Sequence, residues 1–221
     1  MLTRRALRTV LFDLDGTVID TGPLIATSFR HATRSVLGVE IPDEELLRYV
    51  GGWGLRAQME RFDPERATEL VEAYRAHVVP LHAELEYCSG MYEMLVELKA
   101  RSFQLGLVTA KHLAMVRLAF DALPELSEFF VEIVTGEETE HHKPSPEPLF
   151  LALDRLGADP GDTAYVGDSP FDVEAAKAAG LRSIAVTWGG IHGEERLRAA
   201  GPDAIVSTPA ELKAALQASP A

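Results

Sequence analysis

From Gly90 onward the chain alternates short apolar runs with longer amphipathic stretches, and this alternation constrains the fold more than any other feature. FQLGLVTA, VEIVTG, TAYVGD, RSIAVTW and DAIVS are apolar and rich in β-branched residues, and read as strands. MYEMLVELKAR, HLAMVRLAFDAL, PEPLFLALDRLG, VEAAKAAG, GEERLRAAG and PAELKAALQA carry apolar residues at helical spacing. Strands separated by helices of this length are joined by crossovers rather than hairpins, so they run parallel with helices covering both faces. The class is α/β, with a doubly wound parallel, Rossmann-like sheet.

One strand of that sheet lies far upstream. Val10, Leu11 and Phe12 run into Asp13-Leu14-Asp15-Gly16-Thr17, and from Pro23 to about Leu85 no strand pattern follows. PLIATSFRHATRSVLG has Pro23 at a helix start and Gly38 at its stop. PDEELLRYV and PERATELVEAYRAHVVPLHAEL are further helices, and GGWGLRAQMERF between them is expected to be irregular because of Gly51, Gly52 and Gly54. The expected organisation is an α/β core of residues 1–20 and 87–221 interrupted by a helical insertion at 21–86.

Ligands of such sheets bind beyond the C-terminal strand ends. There the chain places Asp13 and Asp15, then Thr109 with Ala110 and Lys111, then Lys143 in EETEHHKPSPEP, then Asp168 with Asp172 four residues on. The chemistry suited to that set is phosphoryl transfer. A carboxylate can attack phosphorus, a Mg²⁺ ion held by carboxylates and a lysine can offset the charge, and a second carboxyl can protonate the leaving oxygen.

The net charge of −13 makes nucleic acid or an anionic membrane an improbable partner and requires local positive charge if the substrate is anionic. A lysine and a metal meet that requirement. No apolar run is long enough to span a bilayer. Arg4, Arg5 and Arg8 read as a solvated start before the first strand, since no apolar signal core follows them. Cys88 is the one cysteine; it fits a reducing cytoplasm and reads as a packing residue.

FDLDGT, VTAK, HKPSPEP and GDSPFD resemble, in their order, the four signature motifs of the haloacid dehalogenase superfamily. The resemblance covers nearly the whole chain, and the insertion is similar to that family's small all-helical cap. It implies Asp13 as nucleophile and Asp15 as general acid, later base. Thr109 and the Ala110 amide would hold phosphate, and Lys143 would tie phosphate to nucleophile. Mg²⁺ would sit on the Asp13 carboxylate, the Asp15 carbonyl and Asp168, with Asp172 as an outer or water-mediated partner. Thr17 would orient Asp15. Trp53 and Arg56 lie where the family's cap loop reaches the site, and Arg56 is a candidate for a substrate carboxylate or second phosphate.

The acid at position 15 favours an oxygen leaving group over dehalogenation or phosphonate cleavage. The resemblance implies a small phosphorylated metabolite as substrate, and a monomer or homodimer is expected. The pattern is most similar to phosphoglycolate phosphatases, with inorganic pyrophosphatase, nucleotide and sugar-phosphate phosphatase activities as alternatives. Asp172 stands where sugar-phosphate mutases usually have glycine. A phospho-acceptor signalling module and a non-catalytic phosphate-binding protein are the rivals from other classes.

Overall fold

The computed structural model describes residues 6–217. Arg4 and Arg5 lie outside them, whereas Arg8 leads into the sheet, its N–H donating to Asp162 O at 2.9 Å. The strands are β1 Thr9–Phe12, β2 Gln104–Val108, β3 Glu132–Val134, β4 Thr163–Gly167, β5 Arg182–Val186 and β6 Ala204–Val206. The helices are α1 Gly22–Leu37, α2 Asp43–Leu46, α3 Leu55–Phe62, α4 Ala67–Leu81, α5 Met91–Ala100, α6 Leu113–Ala122, α7 Leu126–Phe129, α8 Glu147–Leu156, α9 Pro170–Ala178, α10 Glu194–Ala200 and α11 Pro209–Gln217.

All strand pairs are parallel, in the order β3-β2-β1-β4-β5-β6. The expected α/β class is what forms. Alternation in β1 divides the two layers. Val10 and Phe12 pack under α5, α6, α7 and α11 with Met91, Leu95, Val116 and Leu212, while Leu11 faces α8 and α9 with Leu149, Tyr165 and Ala176. Both faces are therefore buried, as an all-parallel sheet requires. Each large apolar side chain withdrawn from water in this way contributes roughly 1.5–3 kcal/mol.

The insertion builds its own apolar cluster from Ile25, Phe29, Leu46, Met59 and Leu70. Its local structure differs from the sequence expectation in two places. After Gly54, whose extended backbone (φ −61°, ψ 149°) caps the turn, LRAQMERF forms α3. Leu, Arg, Ala, Gln, Met and Glu are strong helix formers, and burying Met59 fixes the register. PDEELLRYV is helical only over Asp43–Leu46. Beyond it the chain turns so that Val50 O accepts from the buried ring of His192 at 2.9 Å, a tertiary contact the local pattern does not announce.

Candidate active site

Parallel register carries the first acid to the centre of the sheet edge. Phe12 pairs with both Leu107 and Val166, and the Asp13 N–H still donates to Val166 O at 2.9 Å. Gly16 then turns the chain at φ 71°, a left-handed conformation that favours glycine. Its N–H bonds Ile19 O at 2.9 Å, closing a tight loop that folds Asp15 back into the same cavity as Asp13. There Lys111 Nζ sits 2.5 Å from Asp15 Oδ1. Lys111, two residues beyond Thr109, is the partner that holds Asp15. Thr17 does not do so: its buried hydroxyl has no partner among the described residues, and its carbonyl accepts instead from Trp188 Nε1 at 3.0 Å.

Lys143 is 2% exposed, an uncommon position for an ammonium. Its Nζ lies 2.6 Å from Asp172 Oδ1, 3.1 Å from Asp13 Oδ1 and 3.0 Å from the Tyr165 phenol. Burial opposes its charge, but Asp13 and Asp172 more than offset that and hold its pKa well above the ordinary lysine value. The Tyr165 hydroxyl reaches two acceptors, Val108 O at 2.9 Å and Asp172 Oδ1 at 3.2 Å, while accepting from Lys143. Asp172 closes the helix start as well. Its Oδ2 accepts from Ser169 N–H at 2.9 Å, and Ser169 Oγ accepts from Asp172 N–H at 3.2 Å, a reciprocal cap on α9.

Asp13, Asp168 and Asp172 each bring a carboxylate oxygen within 4.8 Å of the others. Burial pushes the Asp13 carboxyl up to about 7, with Asp172 and Asp15 adding to the shift and Lys143 resisting it. Burial, then Asp172 and Asp13, likewise push Asp168 well above the usual carboxylate range. Three buried acids thus share one buried ammonium. Hard oxygen donors with surplus negative charge are what a small divalent cation binds. The backbone leaves room for no side chain around Asp168: a Cβ on Gly189 or Gly16 would stand 2.0 or 2.3 Å from its Oδ2. Asp172 is committed through both oxygens to Lys143 and Ser169, so Asp13 and Asp168 are the better-placed ligands.

At the end of β2, Thr109 N–H donates to Val134 O at 3.0 Å. Its Oγ1 accepts from Lys111 N–H at 3.1 Å, so its own proton is available to another oxygen. Ala110 follows directly, and a Cβ on Gly136 would meet Ala110 O at 2.4 Å, so glycine there lets the two loops close together.

Asp13, Asp15, Thr109, Ala110 and Lys111 open into a cavity of about 500 Å³ roofed by α1, α3 and α4. The glycines of GGWG explain how the roof sits so low. A Cβ on Gly51 would strike Ser169 at 2.8 Å, and one on Gly52 would strike the Phe171 ring at 2.5 Å. Arg56 lines the cavity, but it is mostly exposed and paired with Glu60 at 3.0 Å. Trp53 lines it too, stacked on Tyr49 at 4.5 Å. Sequence reasoning missed Tyr165, whose position in a strand gave it an ordinary packing role. Gly52→Val is expected to lift the roof and lower kcat/KM by about tenfold or more, because small displacements of positioned groups are costly. Steady-state kinetics on the best substrate checks this; an unchanged kcat/KM would mean that the close seating of the loop is not needed.

The family model of haloacid dehalogenase-like hydrolases matches residues 10–186, which takes in Asp13, Asp15, Thr109, Lys143, Asp168 and Asp172. The chain belongs to this family. It is a hydrolase, and it is 37% identical over 213 residues to the pyrophosphatase PpaX of Bacillus velezensis, covering 96% of this chain and 97% of that one. The PpaX pyrophosphatase of Anoxybacillus flavithermus is 38% identical over 208 residues, 93% of this chain and 95% of that one. Among solved structures, a haloacid dehalogenase-like hydrolase from Bacteroides fragilis superposes with a TM-score of 0.82 at 28% identity, covering 93% of this chain and 99% of that one. CbbY from Rhodobacter sphaeroides, solved with phosphate, gives 0.78 at 27% identity, covering 93% and 96%. No helix among the described residues is long and apolar enough to cross a membrane.

Proposed function

We propose that the chain is a Mg²⁺-dependent phosphatase that hydrolyses a small phosphorylated metabolite through a phosphoaspartate on Asp13. The observation that carries this is the buried pair of Asp13 and Lys143 at 3.1 Å, opening on a cavity that also holds Asp15 and Thr109. Asp13 attacks phosphorus while the Lys143 ammonium offsets charge on nucleophile and phosphoryl oxygens. The Thr109 hydroxyl and the Ala110 amide hold a phosphoryl oxygen. Asp15, steadied by Lys111, protonates the leaving oxygen and then takes a proton from the water that cleaves the acyl phosphate. Asp13, Asp168 and the Asp15 carbonyl would hold Mg²⁺, with Asp172 behind them anchoring Lys143. When bound, the ion lowers the repulsion between the carboxylate nucleophile and an anionic substrate.

In this reading residues 21–86 are a cap over a core of 1–20 and 87–221. Supporting it, the chain leaves and re-enters the core side by side, with Asp20 N–H bonded to Glu86 O at 2.9 Å. A cap that excludes water strengthens the charge interactions beneath it. A cytoplasmic location fits Cys88, a buried thiol that burial pushes up to about 12. Phosphoglycolate is the substrate that the motif resemblance suggests, and pyrophosphate the one that the relatives' name suggests. Phosphate release should appear with Mg²⁺, vanish with a chelator and return on adding the metal. No release from any of a broad set of phosphates would overturn the reading.

A further inference from the structure

The loop that roofs the cavity is held from the core by one short segment. After β5 the chain passes through Gly190, left-handed at φ 77°, into Ile191 and His192, and α10 starts behind an extended Gly193. Ile191 packs against the apolar cluster of the insertion. His192 beside it is 5% exposed, with its ring edge-on to Phe171 at 6.2 Å. Both ring nitrogens are engaged: Nε2 lies 2.9 Å from Val50 O, and Nδ1 lies 2.9 Å from Arg196 Nη1. A guanidinium only donates, so Nδ1 is the acceptor and the ring proton sits on Nε2, which donates to Val50 O. Burial, with the Arg196 charge adding to it, lowers the His192 pKa against the pull of the Val50 bond and favours this neutral ring. Arg196 itself reaches Arg48 O with Nη2 at 3.4 Å.

The residues held in this way shape the site. Val50, Gly51, Trp53 and Gly54 line the cavity together with Asp13 and Asp15. The glycine contacts of the loop with the core are steric: Gly51 lies on Ser169, Gly52 on Phe171, and a Cβ on Gly54 would stand 3.2 Å from His142 Nε2. Close packing limits how near the loop can come, but it does little to stop the loop from lifting. A hydrogen bond does stop it, because lifting would strand a buried donor. Among the described residues, the hydrogen bonds from core side chains to residues 47–54 are those of His192 and Arg196.

Resting on the phosphatase reading above, we propose that His192 is a positioning residue for the reaction: its Nε2–H, oriented by Arg196, pins the Val50 carbonyl and sets the height of the GGWG roof over Asp13 and Asp15. Without the pin a fraction of the molecules carries the loop raised, and substrate must bring it down. That lowers apparent affinity while leaving the saturated complex as it was. Phosphate release from p-nitrophenyl phosphate with Mg²⁺ measures this. His192→Leu keeps an apolar bulk and loses both nitrogens, so KM should rise about tenfold with kcat within about threefold. Arg196→Met leaves the ring free to carry its proton on either nitrogen, and KM should rise at least about threefold. His192→Gln presents an oxygen and an N–H across one carbon, much as the ring presents Nδ1 and Nε2, so its KM should stay within about twofold of the parent.

Hydrogen exchange gives a readout that needs no substrate. The amides of Gly52 and Trp53, bonded to Tyr49 O at 3.3 and 3.1 Å, should exchange at least about tenfold faster in His192→Leu, with those of β1 and β4 unchanged. In His192→Gln they should exchange at the parent rate. Parent-like KM and exchange in His192→Leu, a fall confined to kcat, or a glutamine variant as impaired as the leucine one would overturn the proposal. Should the leucine variant not fold, Arg196→Met decides alone, and parent-like KM and loop exchange in it would overturn the proposal equally. Absence of any release that Asp13→Asn abolishes would instead overturn the phosphatase reading, and the exchange rates would still decide whether His192 pins the loop.

Discussion

Asp13→Asn should abolish turnover and yet make the metal-free protein more stable. An amide cannot form the acyl phosphate, and removing a covalent nucleophile costs at least about a thousandfold in kcat. The stability gain follows from crowding. Asp13, Asp168 and Asp172 are buried around the single ammonium of Lys143, and burial first of all holds the Asp13 carboxyl at about 7. Between about pH 4 and pH 7 the folded metal-free protein keeps a proton on Asp13 that the unfolded chain has released. The contribution of Asp13 to stability therefore falls as pH rises through this window and levels off above it. The asparagine variant lacks that loss, so its advantage over the parent should grow from pH 4 to 7, reaching about 2–4 kcal/mol at neutral pH. Urea melts of both proteins in chelator, at several pH values, measure it. A variant no more stable than its parent at pH 7.5 would mean that the carboxylate cluster is not under charge strain. Divalent metal should shrink the difference, since the parent then gains a counter-charge that the variant holds less well.

Lys143→Met should destabilise the protein by about 3–5 kcal/mol, the usual cost of removing one partner from a buried ion pair. Methionine fills similar volume, so the loss is electrical rather than steric. Asp13 would face Asp172 and Asp168 with no protein cation between them, and the Tyr165 phenol would lose its donor. Adding Asp172→Asn to this variant should recover a good part of the loss, because it removes one of the acids that Lys143 neutralises. Melts of the two single variants and the double variant close the cycle. A single variant within about 1 kcal/mol of the parent would show that the buried ammonium is not needed for folding. Activity is expected to disappear in both, so stability and turnover must be read separately.

The sheet was legible because its signals are local. Each strand is a contiguous apolar run and each crossover helix a contiguous amphipathic one, so their alternation alone implies parallel order with both faces covered. Asp13, Thr109, Lys143 and Asp168 could be proposed as one site because they stand at or just beyond strand ends, and parallel strands bring such ends to one edge. Residue type and position in the chain carried that much.

The rest is set by contacts between positions far apart in sequence. Lys111 and Asp15, ninety-six residues apart, meet at 2.5 Å only because β1 and β2 are neighbours. Tyr165 looks like any strand residue until Val108, Lys143 and Asp172 close around its hydroxyl. GGWG looks like a break in regular structure, and its purpose emerges only when Ser169 and Phe171 lie against it. Sequence by itself thus determined the class of sheet and the chemical groups at its edge, since both follow from short-range pattern. The tertiary structure decided which groups are paired, how the acids are charged and what shape the cavity leaves for substrate, since pairing, burial and cavity shape depend on side-chain distances that no local pattern encodes.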